Sequence, residues 1–154
     1  MSNISGILKS IQNIKGLQMR IVGSYTDGCR ELEKDYPFVN CLGYMLNEEL
    51  ARECESWSFF LNPVFYYSRG VSTKLAKALG MGLPVITTEI GNRGYQWEEG
   101  DLPAVNTPQE MANKILELAF DIDEIQHYRK QVIQIVNSTP TYQELSNRLE
   151  DFIK

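Results

Sequence analysis

The stretch SRGVSTKLAKALGMGLPVITTEIGNRGY, Ser68 to Tyr95, carries the clearest structural pattern in this sequence. Its order predicts a loop at Gly70, a helix rich in small residues, a Gly-Leu-Pro turn and a buried strand over Val85 to Thr88. Basic residues gather where the helix begins, namely Arg69, Lys74 and Lys77. Because scaffolding seldom needs so much positive charge beside a glycine, this pattern indicates a ligand-binding loop.

Strand and helix patterns alternate along the rest of the chain. The predicted strands are 19–22, 39–44, 59–61, 85–88 and a short one at 103–105. The predicted helices are 4–15, 26–36, 48–57 with Asn47 as its N-cap, 75–81, 107–120, 122–136 and 141–153. The strands are short and apolar without strict alternation, which favours a parallel sheet covered on both faces. We therefore predict an α/β fold, a doubly wound parallel sheet of the Rossmann-like type.

Length and composition narrow the range of functions. At 154 residues the chain suits one domain, residues 1–154, and its net charge of −5 disfavours nucleic acid as a partner. Apolar runs are too short for a transmembrane segment and no signal-peptide pattern is found, so we expect a cytoplasmic protein. Three widely spaced cysteines indicate reduced thiols and no metal site, and the single histidine, His127, falls on a polar helical stretch.

The chain begins with a helical pattern, whereas doubly wound sheets usually open with a strand. We therefore expect that the opening strand is absent and that the chain is part of a longer protein.

The loop at Gly70 has the features of a phosphate site. In doubly wound sheets, ligands bind at the carboxyl ends of the strands, where loops lead into helices. Gly70 lets the backbone approach a ligand, and the amides of Val71, Ser72 and Thr73 would point at a phosphate from the helix start. Neither a P-loop nor the dinucleotide-binding glycine motif is present. A turn glycine beside a solvated basic rim explains the same residues without a ligand, and composition and spacing leave both interpretations open.

Beyond these patterns, the string from Leu61-Asn62-Pro63 through RGVSTKLAKALGMGLPVITT, residues 69–88, resembles a known family. It is similar to the C-terminal domain of group 1 glycosyltransferases, the large retaining family with two Rossmann-like domains known as the GT-B fold. The flanking segments agree in order, namely Arg20 to Ser24, Leu42 to Leu50 and Gly91 to Gly94. The similarity spans residues 4 to 150.

The resemblance implies that this domain binds a nucleotide-diphospho-sugar donor of the UDP or GDP type, without a metal or another cofactor. The diphosphate would lie against Gly70, Val71, Ser72, Thr73 and Lys74, with Gly23 and Ser24 nearby. The base would be lined by Gly43, Tyr44 and Met45. The side chains that would act on the leaving diphosphate are Arg69, Lys74 and Lys77.

One departure from the family affects the activity. The family has two glutamates separated by seven residues, which contact the donor sugar and the ribose, and this chain has Arg69 and Lys77 there. Carboxylates accept hydrogen bonds from sugar hydroxyls, whereas arginine and lysine only donate. An alternative is therefore a non-catalytic glycosyltransferase-like module used for partner contact, in which Arg69 and Lys77 form salt bridges that close the cleft.

We expect that the family's N-terminal acceptor-binding half also lies outside this sequence. We therefore expect a hexosyltransferase-type domain that does not turn over alone and that works with an acceptor domain on the same or another chain. Peripheral membrane contact would come through that missing half. A third interpretation, a flavodoxin-like or receiver domain, needs an acidic cluster at the end of the first strand, where only Asp27 is near.

Overall fold

Helices and parallel strands alternate along the chain in the computed structural model, which describes residues 3–66 and 69–153. The strands are β1 (Met19–Val22), β2 (Val39–Gly43), β3 (Phe60–Asn62), β4 (Val85–Thr88) and β5 (Ala104–Val105). The helices are α1 (Asn3–Ile11), α2 (Asp27–Asp35), α3 (Asn47–Cys54), α4 (Thr73–Gly80), α5 (Pro108–Phe120), α6 (Ile122–Ser138) and α7 (Tyr142–Ile153).

All the strand pairs are parallel, but they form two sheets rather than one. β1 pairs with β2, and β4 lies between β3 and β5. β1 and β3 are edge strands of their two sheets, and they are not hydrogen-bonded to each other. The α/β fold predicted from the sequence is confirmed, while the continuous sheet is interrupted between β1 and β3.

Helices cover the three-stranded sheet on both faces. Successive side chains of β4 point to opposite faces, so β4 contributes to a core on each side. Ile86 is fully buried in a core shared with α1 and α5. Val85 is buried on the other face, in a core formed with Leu75 and Leu79 of α4 and Val132 of α6. This arrangement buries every residue of β4, and it holds the start of α4 beside the carboxyl ends of β3 and β4.

Several helix boundaries differ from the sequence prediction, and three of the differences are instructive. α1 ends at Ile11 instead of residue 15, in a turn closed by Ile14 N donating to Ile11 O at 3.1 Å. α3 begins at Asn47 itself, and the cap residue is Leu46, whose amide donates to the Glu49 carboxylate at 2.8 Å. α4 begins at Thr73, two residues earlier than predicted, because the Ser72 side chain caps it. The Asn47 side chain is thus available for another partner.

No helix in the described part of the chain is long and apolar enough to cross a lipid bilayer.

A half-buried polar cluster ties β1 to α3. Arg20 forms an ion pair with Glu53, and Trp57 Nε1 donates to the same carboxylate oxygen at 3.0 Å. The hydrogen bond from Trp57 and then the one from Arg20 lower the pKa of Glu53. A carboxyl whose pKa is lower in the folded state than in the unfolded chain stabilises the fold above its unfolded pKa, and this contribution is lost as pH falls through the folded pKa.

We predict that Glu53→Gln lowers the free energy of unfolding at pH 7 by about 1 kcal/mol, since it removes charge-assisted bonds to Arg20 and Trp57. The difference from the unaltered chain should shrink as the pH falls from the ordinary glutamate pKa of about 4 toward the lowered pKa of folded Glu53. Urea unfolding at a series of pH values measures both effects. A difference that stays constant down to pH 3 would contradict the assignment.

Candidate functional site

The predicted ligand loop lies at the start of α4. Gly70 has a φ of 74°, in the left-handed region that suits glycine, and it turns the chain toward the helix. Ser72 then caps α4, and its Oγ accepts from Leu75 N at 3.3 Å. The amides of Thr73 and Lys74 occupy first-turn positions that have no partner within a helix. They are therefore suited to an anion at the positive end of the α4 dipole.

The buried side chain of Asn62 connects this cap to the sheet. Its Oδ1 accepts from Ser72 Oγ at 3.2 Å, and its Nδ2 donates to Thr87 Oγ1 at 3.0 Å and to Gly91 O at 3.3 Å. Asn62 is only 3% exposed and Thr87 is fully buried, so these bonds are shielded from water. The end of β3, the end of β4 and the α4 cap are thus held by one side chain.

The loop after β4 closes against the same network. Gly91 N donates to Thr88 Oγ1 at 2.9 Å, and the Thr88 hydroxyl donates to Val64 O. A Cβ at Gly91 would lie 2.6 Å from Asn62 Nδ2 and 2.8 Å from Thr87 Oγ1. Only glycine therefore lets this loop approach the network.

Two side chains from the loop after β4 hold the backbone of the ligand loop. Arg93 Nη2 donates to Gly70 O at 2.7 Å, and Tyr95 OH donates to Ser72 O at 2.7 Å. Tyr95 in turn stacks on Trp97, with ring centroids 5.0 Å apart and an interplanar angle of 17°. The backbone carbonyl groups of Gly70 and Ser72 thus both accept hydrogen bonds from side chains of the loop after β4.

A cleft of ≈ 1060 Å³ runs from α1 to the ligand loop, between β1 and β3. The predicted residues that line it are Gly70, Val71, Ser72, Thr73, Lys74 and Lys77. Lys74 and Lys77 are exposed and lie three residues apart on α4, so they share a helix face. Arg69 is exposed and is not among the described lining residues. The structure thus brings the helix-start residues and both lysines together at the cleft.

Lys77 has a neighbour that the sequence did not indicate. Its Nζ donates to Asn47 Oδ1 at 2.7 Å, which connects α4 to the first residue of α3. Burial raises the pKa of the nearby Cys54 thiol, an effect that the Lys77 ammonium partly offsets. Cys54 is a buried free thiol, and both Cys54 and Lys77 line the cleft.

The other predicted contact residues lie outside the cleft. Gly23 follows β1 and its amide donates to Gly43 O at 2.9 Å, so the loops after β1 and β2 are side by side. Ser24 and Tyr44 are exposed, Tyr44 at 78%, and Met45 is half-buried. None of these five lines the cleft as the described residues define it. Their contact with a nucleotide stays a prediction.

Several residues that shape this site were not predicted as site residues, namely Asn47, Asn62, Thr87, Gly91, Arg93 and Tyr95. A signal for two of them was present. An asparagine that ends an apolar strand, and a glycine that follows two buried threonines, are both unusual in scaffolding.

No group of three or more metal-binding side chains occurs within residues 3–66 and 69–153. Metal-independent binding remains a prediction.

We predict that Gly91→Ala destabilises the chain by about 1–3 kcal/mol, because the new methyl group would be forced into the buried network around Asn62. The matched control is Gly80→Ala in α4, where a Cβ meets nothing within 4 Å and φ is not positive. That variant should be as stable as the unaltered chain or more stable by up to about 1 kcal/mol. Chemical denaturation measures both, and equal stability of the two variants would show that the network is loosely packed.

Comparison with known proteins supports the resemblance. The family model described as Glycosyl transferases group 1 matches residues 2–121, well over half of the chain. Among solved structures, the chain is similar to the crystal structure of TarM, with a TM-score of 0.72 and 16% sequence identity. The match covers 96% of this chain and 31% of TarM, so the chain spans less than a third of that protein. No curated protein matches significantly. The fold agrees with the family match, and the chain belongs to the group 1 glycosyltransferases.

Proposed function

We propose that this chain is the donor-binding domain of a retaining glycosyltransferase and that it holds the diphosphate of a nucleotide-sugar at the start of α4. The observation that carries the proposal is the joint arrangement of the Gly70 turn, the first-turn amides of α4 and the exposed Lys74 at one end of the cleft. Backbone N–H groups at a helix start and a neighbouring ammonium are the groups that bind a phosphate.

Neighbouring side chains hold the backbone of the ligand loop in place. This favours the interpretation as a ligand-binding loop over the interpretation as a solvated basic rim. Arg93 and Tyr95 occupy the carbonyls of Gly70 and Ser72, and Asn62 holds the Ser72 hydroxyl. A loop held in this way loses little conformational entropy when an anion binds, which favours affinity. A solvated rim would need none of these contacts.

The same groups suit the chemistry of the proposed reaction. When the bond between sugar and diphosphate breaks, negative charge grows on the leaving diphosphate oxygens. Amides of Thr73 and Lys74, the Lys74 ammonium and the exposed Arg69 would stabilise that charge, which lowers the barrier most when the groups are already oriented. The acceptor would be bound by a further domain, and turnover would belong to a longer protein or an assembly.

Lys77 stands where the family has its second glutamate, and its contacts suggest how a donor would bind without that carboxylate. Its ammonium has three donors, and one of them is used by Asn47 Oδ1. The other two have no hydrogen-bond partner among residues 3–66 and 69–153 and would meet ribose oxygens or a phosphate, so we propose a donor-site contact in which the protein donates where the family accepts.

In the non-catalytic alternative, Arg69 and Lys77 would form salt bridges that close the cleft. The ion pairs between described residues are Arg20–Glu53, Arg30–Asp27 and Lys114–Glu117, and the described partner of Lys77 is a neutral amide. This pattern favours an open, basic cleft and therefore favours the binding proposal.

We predict that the chain binds UDP or GDP and their sugars, and that Lys74→Ala weakens this binding about tenfold, the equivalent of about 1.4 kcal/mol. Isothermal titration calorimetry with each nucleotide measures the affinity. The control is Lys130→Ala, which removes an exposed lysine from α6 and should leave the affinity unchanged.

Two results would contradict the proposal. One is the absence of binding by every nucleotide at millimolar concentration, which would favour the partner-contact module. The other is an equal loss of affinity in the Lys74 and Lys130 variants, which would indicate a general effect of charge.

A further inference from the structure

Two of the three cysteines meet where α2 packs on β2. Cys29 lies in the first turn of α2, Cys41 lies in the middle of β2, and both are half-buried free thiols. The Cys41 thiol donates to Cys29 O at 3.7 Å, and a hydrogen bond also joins the two thiol groups directly. The fold thus brings together two sulfur atoms whose residues are 12 positions apart in the chain.

A second contact holds Cys41 against the helix. Its amide donates to Glu33 Oε1 at 2.7 Å, and Tyr25 OH donates to the other oxygen of that carboxylate at 2.6 Å. Glu33 follows Cys29 by one helical turn, so the two side chains lie on the same face of α2. Cys41 is therefore bound at two points to the helix face that carries Cys29, which keeps the two thiols together.

The surroundings of Cys29 favour its thiolate form. Cys29 is the third residue of α2, at the positive end of the helix dipole, and the hydroxyl of the cap residue Thr26 donates to its Sγ at 3.5 Å. Hydrogen bonds from the backbone and the hydroxyl of Thr26, and then one from the Cys41 thiol, lower the pKa of Cys29. They outweigh the opposing effects of burial and of the Glu33 carboxylate. The thiolate is the nucleophilic form of cysteine.

The other two cysteines are held in the protonated form. Burial, and then the hydrogen bond to Cys29, raises the pKa of Cys41 to about 11. Burial also raises the pKa of Cys54, which lies in α3 and is buried. The structure therefore pairs one reactive thiol with one protonated neighbour, which is the arrangement of an oxidisable cysteine beside a resolving cysteine.

We propose that Cys29 and Cys41 are a peroxide-reactive pair that closes into a disulfide between α2 and β2. The Cys29 thiolate attacks the terminal oxygen of a hydroperoxide, the O–O bond breaks, and the departing oxygen takes a proton from solvent. Cys41 Sγ then attacks the sulfenic acid of Cys29, the S–O bond breaks, and hydroxide leaves as water with the Cys41 proton. The two sulfur atoms lose two electrons in total and the peroxide gains them. A thiol reductant reverses the bond by exchange.

The disulfide would act on the loop after β1. The Cys29 thiol donates to Ser24 O at 3.8 Å, and a disulfide sulfur has no hydrogen with which to keep that bond. Cys41 likewise loses its bond to Cys29 O. Oxidation therefore releases the Ser24 carbonyl, and it does so whether or not this loop contacts a nucleotide.

Oxidation of the reduced chain with hydrogen peroxide tests the pairing. After treatment at low protein concentration, the remaining thiols are alkylated and a non-reducing digest is mapped by mass spectrometry. We expect each chain to lose the mass of two hydrogen atoms and to yield a cross-linked peptide that contains Cys29 and Cys41. Cys54 should be recovered as an alkylated thiol, and dithiothreitol should restore the starting mass.

Single substitutions separate the two roles. Cys41→Ser should accumulate a sulfenic acid at Cys29 that dimedone traps, because no thiol is left to resolve it. In Cys29→Ser, alkylation of Cys41 by iodoacetamide should be at least about tenfold slower than alkylation of Cys29 in Cys41→Ser. The matched control is Cys54→Ala, which should form the disulfide as the unaltered chain does. If a variant does not fold, the peptide map of the unaltered chain decides.

A bond between Cys29 and Cys41 within one chain supports the proposal. It is overturned by a bond that joins two chains, by a bond to Cys54, or by oxidation of Cys29 beyond the sulfenic acid while Cys41 stays free. Failure of both thiols to react at a peroxide concentration that oxidises a short cysteine peptide overturns it as well. None of these measurements involves a nucleotide, so this proposal and the proposed function fail separately.

Discussion

The buried amide of Asn62 is the interaction on which the arrangement of the site depends. It is one side chain with contacts to a helix cap, a neighbouring strand and the loop that follows that strand. An amide is suited to this position because it accepts on one side and donates twice on the other. An aspartate would carry charge into a buried place, and a leucine would leave Ser72 and Thr87 without their partner. The conformation of the ligand loop therefore depends on Asn62 in the sheet core as much as on Gly70 in the loop itself.

Local patterns were sufficient for the elements and for the family. The β-branched run Val85 to Thr88, with Gly-Leu-Pro before it, forms a strand that is buried on both faces. Leu75, Ala78 and Leu79 of α4 are buried in the core on one face of that strand. These properties depend on neighbours in sequence, and they were predictable for that reason. α4 begins two residues before its predicted start because the Ser72 side chain caps it.

Contacts between distant segments could not be obtained in this way. Asn62 and Gly91 are 29 residues apart, and Lys77 and Asn47 are 30 apart, so nothing in the local composition of either segment indicates the contact. Asn47 was interpreted as a helix cap, a role that asparagine often has, whereas its amide oxygen binds the Lys77 ammonium. The interruption of the sheet between β1 and β3 is also a property of pairing between strands, and the sequence indicated it only through the expected absence of an opening strand.

The stack of Tyr95 on Trp97 has an optical consequence. The Tyr95 hydroxyl is bonded to the ligand-loop backbone at Ser72, and its ring lies flat on the indole. A ligand bound to that loop would shift the tyrosine and so change the environment of the indole, whose emission wavelength depends on local polarity. The chain has two tryptophans, and with Trp57 replaced by phenylalanine the remaining emitter would be a built-in fluorescent gauge of whether the loop is occupied.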